Sequence, residues 1–213
     1  MPNFIGDSIN TIPAIELIRQ VFPQARITLL GPSFLKELFE YDPRIFYVIV
    51  SNKRKKNYFR NIFVILRNRY DLGILFTNTF MTALLLRLAL VKRLVGYENE
   101  GRGFLLNFKR PLNRNVHYIN RYAMLVNEWL GNKFTCLPTL KLYYKQECNF
   151  HFANNNPVIG LYLGGTNKRF RRYPEEQAIV LLRMLRNYNL VFIGDSNDAV
   201  VQSSYVRQAM IDI

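Results

Sequence analysis

The sequence predicts an α/β protein built on parallel sheets, and three observations carry that expectation. Short apolar runs alternate with segments of helical period along nearly the whole chain. Several of the runs end in glycine and lead straight toward a helix, as at Gly31 and Gly194. A polar break from Lys145 to Pro157, containing Asn154-Asn155-Asn156-Pro157, separates this pattern from a second β-α-β unit.

Taken in order, Pro2 to Phe22 reads as a glycine turn at Gly6 followed by a helix. Pro13 lies in its first turns, and Ile12, Ile15, Leu17, Ile18, Val21 and Phe22 are its apolar positions. Ala25–Gly31 reads as a strand, Ser33–Tyr41 as a short helix with Ser33 placed to cap it, and Phe46–Val50 as a strand. Lys55–Arg69 carries Phe59, Ile62, Phe63 and Leu66 opposite a basic face and reads as an amphipathic helix. Leu72–Phe76 is a buried strand, Thr79–Val91 a helix, Leu94–Tyr97 a strand, and Tyr118–Leu130 a helix closed by Gly131. Beyond the break, Val158–Leu163 and Leu190–Gly194 read as strands, with helices over Pro174–Arg186 and from Asn197 to Met210. The expected organisation is a first domain over 1–145, a linker over 146–157 and the beginning of a second sheet over 158–213. A strand is also expected before Pro2.

The 213 residues are 49% hydrophobic, enough for a sizeable core and against wholesale disorder. Cys136 and Cys148 are too few for a disulfide framework or a zinc cluster, and His117 and His151 lack a metal-ligand spacing. No metal and no cofactor is expected. The net charge of +14 favours anionic partners, although abundant Lys, Asn, Phe, Ile and Tyr also fit a compositional bias. The longest apolar run, Phe80–Val91, is broken by Arg87 and is far below the roughly 20 residues of a membrane span. A soluble protein is expected, at most peripheral to a membrane.

Ligands in parallel sheets bind beyond the carboxyl ends of the strands. Gly6-Asp7, Gly31-Pro32 and Phe76-Thr77-Asn78 are expected on that edge. Asp7 reads either as a helix cap or as a carboxylate facing a ligand. Gly164-Gly165 ends a strand, and Lys168, Arg169, Arg171 and Arg172 follow before Pro174 opens a helix. That arrangement reads as a diphosphate cradle or as a solvated basic loop. Lys53-Arg54-Lys55-Lys56 with Arg60, Arg67 and Arg69 reads as a solvated helix face, or as a surface for an anionic lipid headgroup or another phosphorylated partner.

Pro2-Asn3-Phe4-Ile5-Gly6-Asp7 followed by Ile12-Pro13-Ala14 resembles the N-terminal signature of the ADP-heptose:lipopolysaccharide heptosyltransferases, glycosyltransferase family 9, nearest the heptosyltransferase II branch. The family has Trp where this chain has Phe4. Four further stretches resemble the same family in order: Gly96–Leu106 with Glu100-Gly101-Arg102-Gly103, His117–Tyr122, Gly164–Pro174 and Phe192–Asp198.

The resemblance implies a GT-B-like fold of two Rossmann-like domains, the first binding the inner-core heptose acceptor and the second ADP-L-glycero-D-manno-heptose. It implies an inverting, metal-independent heptosyl transfer with Asp7 as general base. Asn3, Gly6, Gly165, Thr166, Lys168, Arg171 and Asp198 are the implied substrate-binding residues. The family's usual Lys at the Arg171 position leaves Arg171 or Lys168 as the phosphate cation. The implied location is cytoplasmic, with contact at the cytoplasmic face of the inner membrane left open. The family's Asp-Thr/Ser-Gly…His donor stretch has no counterpart before Ile213, so the donor domain is expected to be only partly represented. Two other readings stay open: an inactive remnant of the family and, on charge alone, a basic nucleic-acid-binding protein.

Overall fold

The computed structural model describes residues 1–51, 55–145, 152–164, 172–194 and 196–211. Its contacts divide into two compact units, Met1–Gln146 and Glu147–Ile213.

The first unit holds α1 (Ile5–Ile9), α2 (Ile12–Val21), β1 (Ile27–Gly31), α3 (Leu35–Leu38), β2 (Ile45–Val50) and α4 (Lys55–Asn68). It continues with β3 (Leu72–Leu75), α5 (Phe80–Leu88), β4 (Arg93–Glu98), a 3-10 turn (Arg102–Leu105), β5 (Phe108–Pro111) and α6 (Tyr118–Trp129). All its strand pairs are parallel: β1 with β2, β3 with β4, and β4 with β5. Among the described residues these pairs form two sheets, β1-β2 and β3-β4-β5, with no ladder between β1 and β3.

Helix α2 holds the two groups of strands to one core. Its Ile12 and Ile15 pack with Leu29, Leu35 and Phe39. Its Ala14 and Leu17 pack with Phe76 and with Tyr122, Ala123 and Val126 of α6. A third cluster, under α4 and α5, joins Ile49 and Ile65 to Leu75, Ala83, Leu85 and Leu94. The helices thus bury apolar faces against near-continuous apolar strands, which is the logic of a parallel sheet.

Arg44 fixes the start of β2. Its guanidinium meets both oxygens of the buried Asp42, at 2.8 and 2.6 Å, and Glu16 of α2 at 3.0 Å. It also donates to the carbonyl oxygen of Lys141, which pins the segment after α6 to the same spot.

The opening differs from a simple glycine loop. Gly6 lies inside the short helix α1, and α2 begins only after Asn10-Thr11, with Pro13 in its first turn. Ser33 caps nothing, because α3 starts one residue past Phe34 without a side-chain cap bond. β5, the sequence Phe-Lys-Arg-Pro, is a strand that the apolar pattern does not announce.

The second unit contains β6 (Val158–Leu161), α7 (Glu175–Met184), β7 (Asn189–Phe192) and α8 (Ser196–Ile211). β6 and β7 pair in parallel from Val158↔Asn189 to Leu161↔Phe192. Leu163, Ala178, Leu182, Tyr205 and Ala209 form its core. Asn189 ties the pair to the preceding segment by donating to Asn154 Oδ1 and to the Asn156 carbonyl oxygen.

Candidate active site at the carboxyl edge of the first unit

Asp7 is the third residue of α1, so it caps neither α1, whose N-cap is Phe4, nor α2, whose N-cap is Thr11. The cap reading therefore fails on position. Its half-buried carboxylate acts electrostatically on Tyr122 of α6. Tyr122 is 3% exposed, and its ring lies 5.1 Å from that of Phe76, which follows β3 directly. Phe76 and Tyr122 therefore meet just past the carboxyl end of β3, within electrostatic reach of Asp7.

The neighbourhood of Asp7 is open on its outer side. Asn3, Phe4, Ile5 and Gly6 are exposed, and a Cβ added to Gly6 would meet no atom within 4 Å. A ligand has room to approach this backbone closely.

The inner wall is aromatic and holds its protons. The Tyr122 hydroxyl is pushed up to about 12 by burial first, then by Asp7 and Tyr118, with Arg121 opposing. The Tyr97 hydroxyl is likewise pushed up to about 12, by burial and then Glu128. It donates to the Arg121 carbonyl oxygen at 2.6 Å, fastening β4 to the first turn of α6. The guanidinium of Arg121 stacks 4.5 Å over the Tyr118 ring and donates to the carbonyl oxygens of Arg114 and Val116. His117 caps α6, its Nδ1 accepting from the Ile119 amide at 3.4 Å.

A second constellation braces the loops after β3 and β4. Arg102 is fully buried. Its Nε donates to the Tyr97 carbonyl oxygen, its Nη1 to those of Thr77 and Thr79, and its Nη2 to Asn78 Oδ1. Burial holds its pKa down to about 10, with Glu100 opposing. Among the described residues neither neighbouring glutamate bonds to Arg102. Glu98 pairs with Lys109, and Glu100 accepts from the Phe80 amide at the start of α5.

In the second unit, Asp198 lies in the first turn of α8 and is 5% exposed. It packs beneath Gly194, where an added Cβ would come within 2.9 Å of the Asp198 Cβ. Gly165, Thr166, Lys168 and Arg171, and Arg169 beside them, lie outside the described residues, as do Lys53 and Arg54 of the other basic cluster. Pro174 is the N-cap of α7, and Glu175 and Glu176 already occupy its first turn. Among the described residues no group of three His, Cys, Asp or Glu is placed to hold a metal ion.

Asp7 was legible from its sequence context. Its proximity to Tyr122 was not, because 115 residues separate them and only the packing of α2 on α6 brings them together.

The parallel-stranded units, with polar groups gathered at a carboxyl edge, define an α/β protein of the GT-B-like class. The profile of glycosyltransferase family 9 (heptosyltransferase) matches residues 60–210, and the chain belongs to that family. It is 22% identical over 225 residues to lipooligosaccharide heptosyltransferase 2 of Haemophilus ducreyi, covering 94% of this chain and 63% of that protein. Its fold matches the structure of Escherichia coli ADP-heptose LPS heptosyltransferase II with a TM-score of 0.81 and 22% identity, covering 97% of this chain and 66% of that one. It also matches E. coli heptosyltransferase WaaC solved with ADP, with a TM-score of 0.69 and 17% identity, over 97% of this chain and 68% of the other. The chain thus spans under two thirds of the length of the curated relative.

Proposed function

We propose that the protein serves a glycosyl transfer in lipopolysaccharide core synthesis, moving L-glycero-D-manno-heptose from ADP-heptose to an inner-core heptose. The reaction is inverting and requires no metal, and it takes place at the cytoplasmic face of the inner membrane. The observation that carries this reading is the position of Asp7. It is a half-buried carboxylate beside exposed backbone that leaves room for an approaching hydroxyl, within electrostatic reach of the buried, protonated Tyr122.

In this reading Asp7 takes the proton from the acceptor hydroxyl as its oxygen attacks the anomeric carbon of the donor. The bond from that carbon to the diphosphate oxygen breaks, and ADP departs with the electron pair. A positioned general base contributes about 10²–10⁴-fold. Asn3 and Gly6, exposed beside Asp7, line the acceptor's approach. Gly165, Thr166 and either Lys168 or Arg171 hold the diphosphate ahead of α7, and Asp198 supports the turn at Gly194. Because Glu175 and Glu176 already compensate the α7 dipole, affinity for the diphosphate rests on Lys168 or Arg171.

The test is transfer itself. The chain is incubated with ADP-heptose and a heptose-bearing lipid A acceptor, and products are read by mass spectrometry. A heptosylated acceptor that is lost on competition with ADP supports the function. No product together with no ADP binding refutes it.

A further inference from the structure

Helix α4 shows two apolar faces where a surface helix needs one. Asn61, Ile62 and Ile65 turn inward, and Ile65 is buried among Ile49, Leu75 and Ala83. Phe59, Phe63 and Leu66, at i, i+4 and i+7, form a second stripe that faces out. Phe59 is 73% exposed and Phe63 65%. Nothing in the core accounts for two phenylalanines in solvent one helical turn apart.

The stripe does not end with the helix. Tyr58 contacts the Phe59 ring at 6.1 Å and donates through its hydroxyl to the Met81 carbonyl oxygen at the start of α5. Met81 is 53% exposed. Phe80, next to it, lies 6.2 Å from Phe104, which follows β4 and is 75% exposed. Met81, Phe80 and Phe104 thus form an apolar rim at the carboxyl edge of the first unit, joined to the start of α4 through Tyr58. Exposed large apolar side chains on two linked elements, Phe59, Phe63 and Leu66 on one and Met81 and Phe104 on the other, mark an interaction surface.

Charge decides among partners. α4 contains Lys55, Lys56, Arg60 and Arg67 and no carboxylate, and Arg69 follows it. Arg60 and Arg67 are exposed beside the phenylalanine stripe. A second copy of this chain would bring the same cations face to face. A bilayer carrying anionic headgroups satisfies both features, accepting the aromatic side chains at the acyl boundary and the arginines among the phosphates.

We propose that the outer face of α4, with the Met81–Phe104 rim, docks the protein on an anionic membrane surface. This deepens the reading above by naming the face that meets the membrane. The assay contains neither donor nor acceptor, so its failure and the failure of the transfer reading are separate results.

The experiment is co-sedimentation of the chain with vesicles of phosphatidylglycerol and phosphatidylcholine, and with vesicles of phosphatidylcholine alone. The expected result is binding to the mixed vesicles only, abolished at about 1 M salt, where the screening length is roughly 3 Å. The double variants Phe59→Ser/Phe63→Ser and Arg60→Gln/Arg67→Gln should each weaken the partition at least about tenfold. Circular dichroism melts confirm that they fold, and if the serine variant does not, the arginine variant decides. Equal binding to phosphatidylcholine overturns the proposal, as does undiminished binding by the folded variants. Self-association that the serine variant abolishes, without vesicle binding by the parent, assigns the face to a second copy and also overturns it.

Discussion

Arg102 holds together the loops that border the site, and replacing it tests whether they are a built structure. Arg102→Met keeps the volume of the aliphatic stem and removes every donor. Four hydrogen bonds from a charged group disappear, to Tyr97, Thr77, Thr79 and Asn78. At about 1.5 kcal/mol each, the low end for charged donors, they amount to roughly 6 kcal/mol. Burying a guanidinium with no carboxylate bonded to it costs several kcal/mol, which offsets about half of that. A net loss of about 3 kcal/mol remains.

Urea denaturation measures that loss directly. Hydrogen exchange localises it: the Phe80 amide, held by Glu100, should lose protection before the amides of α6. Arg102→Lys should recover less than half of the stability, because an ammonium cannot span four acceptors arranged for a planar fork. A change under about 0.5 kcal/mol in Arg102→Met with unaltered exchange in the 77–82 segment would refute the reasoning.

Two further outcomes follow from the same geometry. Arg44→Met strands the buried Asp42 carboxylate and should cost about 3–5 kcal/mol in urea denaturation, with Arg44→Met/Asp42→Asn recovering part of it; equal costs in the two variants would contradict a buried charge as the cause. Tyr97 and Tyr122 have folded pKa values raised from 10.0 to about 12, so their contribution to stability is complete below pH 10 and is lost as pH rises through 12. The denaturation midpoint should fall across that window, and Tyr122→Phe should lessen the fall; a midpoint flat to about pH 12 would contradict it.

The helices and central strands were legible because burial imposes period. α2, α4 and α6 repeat apolar residues at helical spacing, and β1, β3 and β4 are apolar runs bounded by glycine or polar residues. β5 was not, since a strand paired on one side only can carry Lys109, Arg110 and Pro111 without burying them. α1 was hidden because five residues around a glycine carry no period. The role of Arg102 was hidden too, because its partners are mostly backbone carbonyls up to 25 residues away, which no residue identity announces. The site shows the same division. Asp7 could be singled out from the string around it, while the tyrosine wall behind it exists only through the packing of α2 on α6.

The central claim is that Asp7 removes the acceptor proton, and the rate of the Asp7→Asn variant tests it most directly. The amide is isosteric, and Asp7 is neither a cap nor part of a buried ion pair, so the fold should hold with an unchanged denaturation midpoint. Heptosyl transfer from ADP-heptose, followed by mass spectrometry at saturating donor and acceptor, should fall at least about a hundredfold in kcat with little change in KM. Transfer by Asp7→Asn within about threefold of the parent chain would contradict the account, because an amide cannot accept that proton.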